Sequence, residues 1–298
     1  MEARTLASIV SKKLRPALGL GALALLLSCA DQAGVPGRMQ QWNRPFPSYR
    51  VIDNVYYVGT SDIAQFLITT PAGHFLLDSG FEVTVPRLRD NIEGLGFHFS
   101  DVKLLLTSHA HIDHVQGHAK VRALTGARVV ASPLDADVIE AGGKGESVFD
   151  GVYSWTPCPV DERIDDGATL TLGETTLTAH LTPGHTKGAV TWTMQVTDQG
   201  KRLNVVFFPS ANLNPGVHLV GNERYPNIAE DFARSFATWK GLSCDVFLAD
   251  HGEFYGMSEK FQQLRAGKTP NPFVDPAGYQ HYMSEAEQRF RTRLADEQ

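Results

Sequence analysis

The segment 104–118, LLLTSHAHIDHVQGH, constrains the fold more than any other part of the chain. An apolar, strand-like run ends in His109, His111, Asp113 and His114, four groups with metal-ligand chemistry in six positions. Crowded imidazoles and a carboxylate would repel or hold water for no gain unless a cation sat among them. The alternative, a cluster of surface polar groups at a strand end, leaves that crowding unexplained. The segment therefore belongs at the end of a strand, on a rim that ligands distant in sequence can also reach.

Hydrophobic patterning supplies such a rim. From Tyr49 onward short β-rich runs recur, among them VIDNVYYVG, AQFLITT, GHFLLDSG, VKLLLTSH, AVTWTMQV, LNVVFFPS and CDVFLADHG. Helical spacing is found near 85–95, 115–125, 231–240, 258–266 and 285–295, and no short-period repeat is present. This mixture predicts two sheets with helices on the outside, a layered α/β sandwich. His185 falls in the turn of TTLTAHLTPGHTKG between two strands, and His251 follows another strand directly. Five histidines and one aspartate can then meet at one edge, enough for two metal ions with three protein ligands each. Imidazole nitrogens and a carboxylate oxygen are the ligands zinc takes in catalytic sites.

The N-terminus reads differently. Arg4, Lys12, Lys13 and Arg15 precede the 11-residue apolar run ALGLGALALLL, too short for a spanning helix of about 20 residues and suited to an export signal over 1–28. LLSCADQ resembles a bacterial lipobox, so two outcomes stand: lipidation at Cys29, with 29–43 as a flexible leash, or plain export to the periplasm. Removing the leader's net +3 from the chain's −6 leaves −9, a balance that repels phosphate backbones and argues against a nucleic-acid partner. Besides Cys29 there are only Cys158 and Cys244, which either pair after export or stay as small buried residues.

The THxHxDH-type pattern, here Thr107-Ser108-His109-Ala110-His111-Ile112-Asp113-His114, resembles the signature of the metallo-β-lactamase fold superfamily. The resemblance runs from about Asp53 to the end and implies a four-layer αββα sandwich over 44–298, with a dinuclear site at one edge of the sheets. TLTAHLTPGHTKGAVTW, GNERYPNIAEDFARSF and AGKTPNPFVDP are similar to subclass B3 metallo-β-lactamases. That likeness implies two zinc ions per chain, the first held by His109, His111 and His185 and the second by Asp113, His114 and His251. It implies zinc-dependent hydrolysis of the β-lactam amide of penicillins, cephalosporins and carbapenems by a metal-activated water, and so antibiotic resistance. Asp113 would orient the water and take part in proton delivery to the leaving nitrogen.

Other positions follow from the same resemblance. Ser210 stands where glyoxalase II enzymes and lactonases carry a bridging aspartate, and with Asn212 or Asn214 it is expected to hold the substrate carboxylate. A strand-end hydroxyl and an Asn-Pro-Gly turn would serve local structure equally well. Asp78 is expected to support a zinc ligand from behind. His180 is expected to be a strand histidine outside the ligand set, and His118, where relatives often carry glycine, a solvated one on an exposed helix. Phe149 and Trp155, in the Gly-rich insert, would wall the substrate or join the core. A monomer is expected, with a small-molecule substrate. The rival readings are a lactonase or glyoxalase II-type thioesterase of the same fold, and a non-catalytic metal-stabilised protein, for which eroded ligands would be expected; none of the six is eroded.

Overall fold

Alternating burial along the strands produces two sheets and three apolar layers. The computed structural model describes residues 34–298, so the segment expected to be an export leader, its expected cleavage site and Cys29 lie outside the described residues. The first sheet has the order β1 (Tyr49–Ile52), β2 (Val55–Tyr57), β3 (Phe66–Thr70), β4 (Gly73–Leu77), β5 (Val102–Leu106), β6 (Arg128–Ala131), β7 (Glu162–Arg163). Its pairings are antiparallel up to β4 and parallel from β4 to β7. The second sheet comprises β8 (Thr169–Leu172), β9 (Thr175–Leu181), β10 (Val190–Asp198), β11 (Lys201–Phe208) and β12 (Val246–Ala249). These run in the spatial order β12-β11-β10-β9-β8, with β11 and β12 parallel.

Because successive side chains point to opposite faces, Phe66, Ile68, Phe75, Leu77, Leu104 and Leu106 enter the core between the sheets, where they meet Trp192, Met194 and Phe207. Leu67, Leu76, Leu105 and Val129 face the other way, onto α1 (Val85–Gly94), α3 (His118–Thr125) and α4 (Pro133–Glu140). The four-residue α2 (Ile112–Val115) lies ahead of α3. On the far side α5 (Ile228–Gly241), α6 (Met257–Arg265) and α7 (Pro276–Glu297) cover the second sheet through Phe232, Phe236, Trp239, Phe261, Tyr279 and Met283. The result is the expected αββα sandwich, in which each fully buried large apolar side chain contributes about 1.5–3 kcal/mol.

Parallel strands bring their C-terminal ends to one edge, and the loops after β4, β5, β6 and β12 gather there, as ligand-binding loops do in open α/β sheets. Two contacts lock this edge. Trp192 Nε1 donates to the Thr107 carbonyl at 3.0 Å, and the Val190 N–H donates to that of Ser108 at 2.8 Å, joining the second sheet to the ligand loop of the first. On the opposite flank the Ala64 N–H donates to the Asp250 carbonyl at 2.8 Å, and Ile63 bridges His251.

Several expectations are corrected. The stretch expected as a free leash packs in its described part: Val35 and Met39 are buried against Ile63, Phe81 and Ile112, and the Thr60 hydroxyl holds the Trp42 carbonyl at 2.9 Å. Apolar side chains at Val35, Met39 and Trp42, three to four residues apart, provide the sticky face. The helix expected over 285–295 begins earlier, at Pro276, because Asp275 caps it by accepting from the Gly278 N–H at 2.9 Å and proline suits the first helical turn. Helix α4 was not foreseen, although Ser132 followed by Pro133 is the same kind of start. Cys158 and Cys244 are both free thiols, buried in different apolar clusters, Cys158 outside the first sheet and Cys244 near α6 and α7. Among the described residues no helix is long and apolar enough to cross a membrane.

Candidate metal centre

The loop after β5 turns straight into α2, and His109 to His114 are all buried at the edge of the sandwich. His109 Nε2 and His111 Nδ1 face each other at 3.0 Å, and the His185 ring closes on both, with centroids 4.8 and 4.6 Å away. Asp113 Oδ2 lies 3.7 Å from His114 Nε2 and 3.6 Å from His251 Nε2. In each of the trios His109–His111–His185 and Asp113–His114–His251 the ligand atoms lie within 4.8 Å of one another. The structure thus brings together all six ligand residues named from the sequence.

The donors fit a divalent cation. His114 Nε2, facing Asp113, is buried without a hydrogen-bond partner, an arrangement that is costly for a polar atom not held by an ion. The set is imidazole nitrogen and carboxylate oxygen, as zinc prefers. Behind the ligands stand acceptors that orient them. His185 Nδ1 donates to the Asn212 carbonyl at 2.7 Å, which leaves Nε2 free to face the centre. His251 Nδ1 donates to Asp62 Oδ2 at 2.7 Å, and His114 Nδ1 lies 3.4 Å from Asp78 Oδ2. Asp78 has a left-handed backbone, φ 62°, and its carboxylate accepts from the Ser108 N–H at 2.8 Å and the Ser108 hydroxyl at 2.6 Å. It therefore braces the start of the ligand loop.

The electrostatics divide. Burial, then the neighbouring imidazoles, push His109 and His185 well below the usual histidine range. Burial also pulls on His114 and His251, but carboxylates outweigh it: Asp113, Asp78 and Asp250 raise His114, and the bond to Asp62 with the charges of Asp250 and Asp113 raises His251 to about 9.

A protein family described as the metallo-beta-lactamase superfamily matches residues 58–196. Among solved structures, the FEZ-1 metallo-β-lactamase of Legionella gormanii is 42% identical with a TM-score of 0.84, over 86% of this chain and 98% of that one. BJP-1, a subclass B3 metallo-β-lactamase of Bradyrhizobium japonicum, is 38% identical with a TM-score of 0.81, over 87% and 97%. The chain belongs to the subclass B3 metallo-β-lactamases. A di-zinc class B3 enzyme from an Alaskan soil metagenome, LRA-12, is 31% identical with a TM-score of 0.81, over 85% and 96%. Curated sequences match over shorter stretches. A hydroxyacylglutathione hydrolase of Maricaulis maris is 31% identical over 87 residues, 29% of this chain and 27% of that protein. An uncharacterized protein of Mycobacterium leprae is 33% identical over 100 residues, 32% and 46%. The chain spans less than half the length of these curated relatives.

Within this metallo-β-lactamase, Ser210 is buried and accepts the Asn212 N–H at 3.1 Å, while Asn212 and Asn214 are partly exposed on the loop after β11. His180 bonds Thr193 Oγ1 at 2.9 Å outside the cluster, as expected. His118 does not lie in solvent. It is fully buried at the start of α3, with Nδ1 2.8 Å from the Ser79 hydroxyl and Nε2 3.0 Å from that of Thr107, and burial pushes it down to about 4. The chain turns inward here because Gly117 bonds the Gly80 carbonyl at 2.9 Å and leaves no room for a Cβ against Ser79 and Val85. Phe149 stands over the centre, its ring 5.3 Å from that of His111, and with Tyr153 and Trp155 it lines a small cavity beside His111.

Four carboxylates at the site were not singled out from the sequence. Asp62 and Asp250 flank the second trio. Glu146, in the Gly-rich insert, lies 3.5 Å from His111 Nε2 and accepts the Val148 N–H at 2.8 Å and that of Phe149, clasping the insert to the first trio. Asp135 joins the two ligand loops by accepting from the Ala110 N–H at 2.7 Å, the Thr186 hydroxyl at 2.9 Å and the Gly188 N–H at 3.0 Å. Glu146 is one of two acids within a glycine-rich stretch and Asp250 adjoins His251, which are weak local signals; Asp62, 189 residues before His251, carries none.

Proposed function

We propose that the protein is an exported, zinc-dependent β-lactamase that hydrolyses the lactam amide of penicillins, cephalosporins and carbapenems and so protects its host from them. The observation that carries this reading is the pair of complete trios at one rim, with a serine, Ser210, at the strand end beside them. His109, His111 and His185 hold one zinc ion and Asp113, His114 and His251 a second. Bound there, the ions supply Lewis acidity, which acidifies water and polarises the lactam carbonyl.

The chain's own residues do the rest. Asp113, between the imidazoles of its trio, orients the attacking water through its carboxylate and passes a proton toward the leaving nitrogen. The Ser210 hydroxyl, with its oxygen already accepting from Asn212, has its hydrogen free for the substrate carboxylate, and the side chains of Asn214 and Asn212 offer amide donors on the same loop. Phe149 screens the first trio from bulk water. The enzyme works as a periplasmic monomer, with or without an acyl anchor at Cys29.

The test is hydrolysis of a chromogenic cephalosporin and a carbapenem by the purified mature protein, before and after chelation and with zinc restored. Activity lost on chelation and regained with zinc is the expected result. Turnover of a glutathione thioester or a lactone with no lactam opened would move the protein to the thioesterase reading that the Maricaulis maris match represents.

A further inference from the structure

Asp250 is buried with neither carboxylate oxygen receiving a hydrogen bond. Its backbone is tied on both sides: its N–H donates to the Phe208 carbonyl at 3.0 Å and its carbonyl accepts from the Ala64 N–H at 2.8 Å. Oδ2 lies 3.5 Å from His109 Nδ1 and 3.8 Å from His114 Nε2, one imidazole of each trio. The neighbouring carboxylates have other duties: Asp78 accepts from Ser108, Asp62 from His251 and Glu253, and Asp113 faces His114 and His251. A lone carboxylate in this place weakens the fold unless positive charge lies against it. Asparagine or serine would avoid that cost and fill much the same space.

We propose that Asp250 is a positioning residue set between the two half-sites: a buried anion beneath the centre that strengthens retention of the ion held by His114 and lies against the outer edge of the His109 ring, whose Nδ1 the Ser108 hydroxyl already meets at 3.1 Å. This rests on the two-zinc reading above. The ligand atoms of His109, His114 and Asp250 lie within 4.8 Å of one another, so the carboxylate is close enough to both half-sites to act on each. Its charge acts most on the second ion, because Oδ2 approaches the metal-facing nitrogen of His114 but the outward nitrogen of His109.

The experiment compares wild type with D250N, which keeps the shape and removes the charge, and with D250S in case the amide disturbs the fold. Zinc per chain is measured by elemental analysis, affinity by competition with a chromophoric chelator, and site geometry by the visible spectrum of the cobalt(II)-substituted protein. In D250N the first ion is expected to bind nearly as in wild type and the second about ten- to a hundredfold more weakly, the range seen when an outer partner of a metal ligand is lost. The cobalt bands of the second site should fade with it. Zinc-loaded D250N should melt below loaded wild type. Two ions held with wild-type affinity and an unchanged cobalt spectrum, or a loaded protein that melts no lower than wild type, would overturn the proposal. Wild-type protein that itself holds fewer than two ions overturns instead the two-zinc reading on which it rests.

Discussion

The two ligand trios are made of similar residues and sit in opposite surroundings. The first, His109–His111–His185, is oriented by a hydroxyl, a loop carboxylate and a backbone carbonyl, from Ser108, Glu146 and Asn212, and two of its imidazoles are driven toward the neutral form. The second, Asp113–His114–His251, is ringed by Asp62, Asp78 and Asp250, which hold its histidines above their usual range. One half-site is shaped by loop geometry and the other by charge. Damage to loops and the groups they carry should therefore fall on the first ion, and damage to the surrounding aspartates on the second.

The largest effects come from the ligands themselves. H185A and H251A should each lose one zinc and about 10³-fold in kcat/KM, on the scale of removing a major electrostatic stabiliser. Elemental analysis beside kinetics checks this, and either variant keeping both ions would break the division into two trios. Intermediate effects come from the supports. D62N removes a charged acceptor 2.7 Å from His251 and should weaken the second ion by about a hundredfold, whereas E146Q, 3.5 Å from His111, should weaken the first by about tenfold. Competition with a metal indicator separates the two. Equal losses at both ions in either variant would show that the half-sites are not independent.

These supports mark the boundary of what the sequence could show. The ligands were legible because their chemistry is compressed into six positions after a strand, with His185 and His251 at equivalent strand ends. The sandwich was legible because the apolar period of its strands differs from that of its helices. Asp62 and His251 are joined across 189 residues by a bridge between Ile63 and His251, and pairing of that kind leaves no local trace. His118 was misjudged for a related reason. Helical periodicity placed it on an outer face, but the break at Gly117 rotates the helix start inward, onto Ser79 and Thr107. The stretch 34–43 reads as polar leash by composition, and only the folded site supplies the apolar partners, Ile63, Phe81 and Ile112, that hold it down.

The smallest effect expected is also the one that separates structural support from substrate binding. Ser210 accepts the Asn212 N–H, and the Asn212 carbonyl holds His185, so S210A should cost about 1 kcal/mol of stability and loosen the first ion slightly. If its hydroxyl hydrogen also meets the substrate carboxylate, KM should rise about tenfold with kcat nearly unchanged, the signature of binding lost equally from ground and transition states. Thermal melting and steady-state kinetics on one cephalosporin read both. A stability loss with KM unmoved would leave Ser210 a member of the first trio's scaffold and transfer the substrate carboxylate to Asn212 and Asn214, whose side chains are more exposed on the same loop. The loop after β11 would then serve both halves of the comparison, its carbonyl orienting a metal ligand and its amides gripping the substrate.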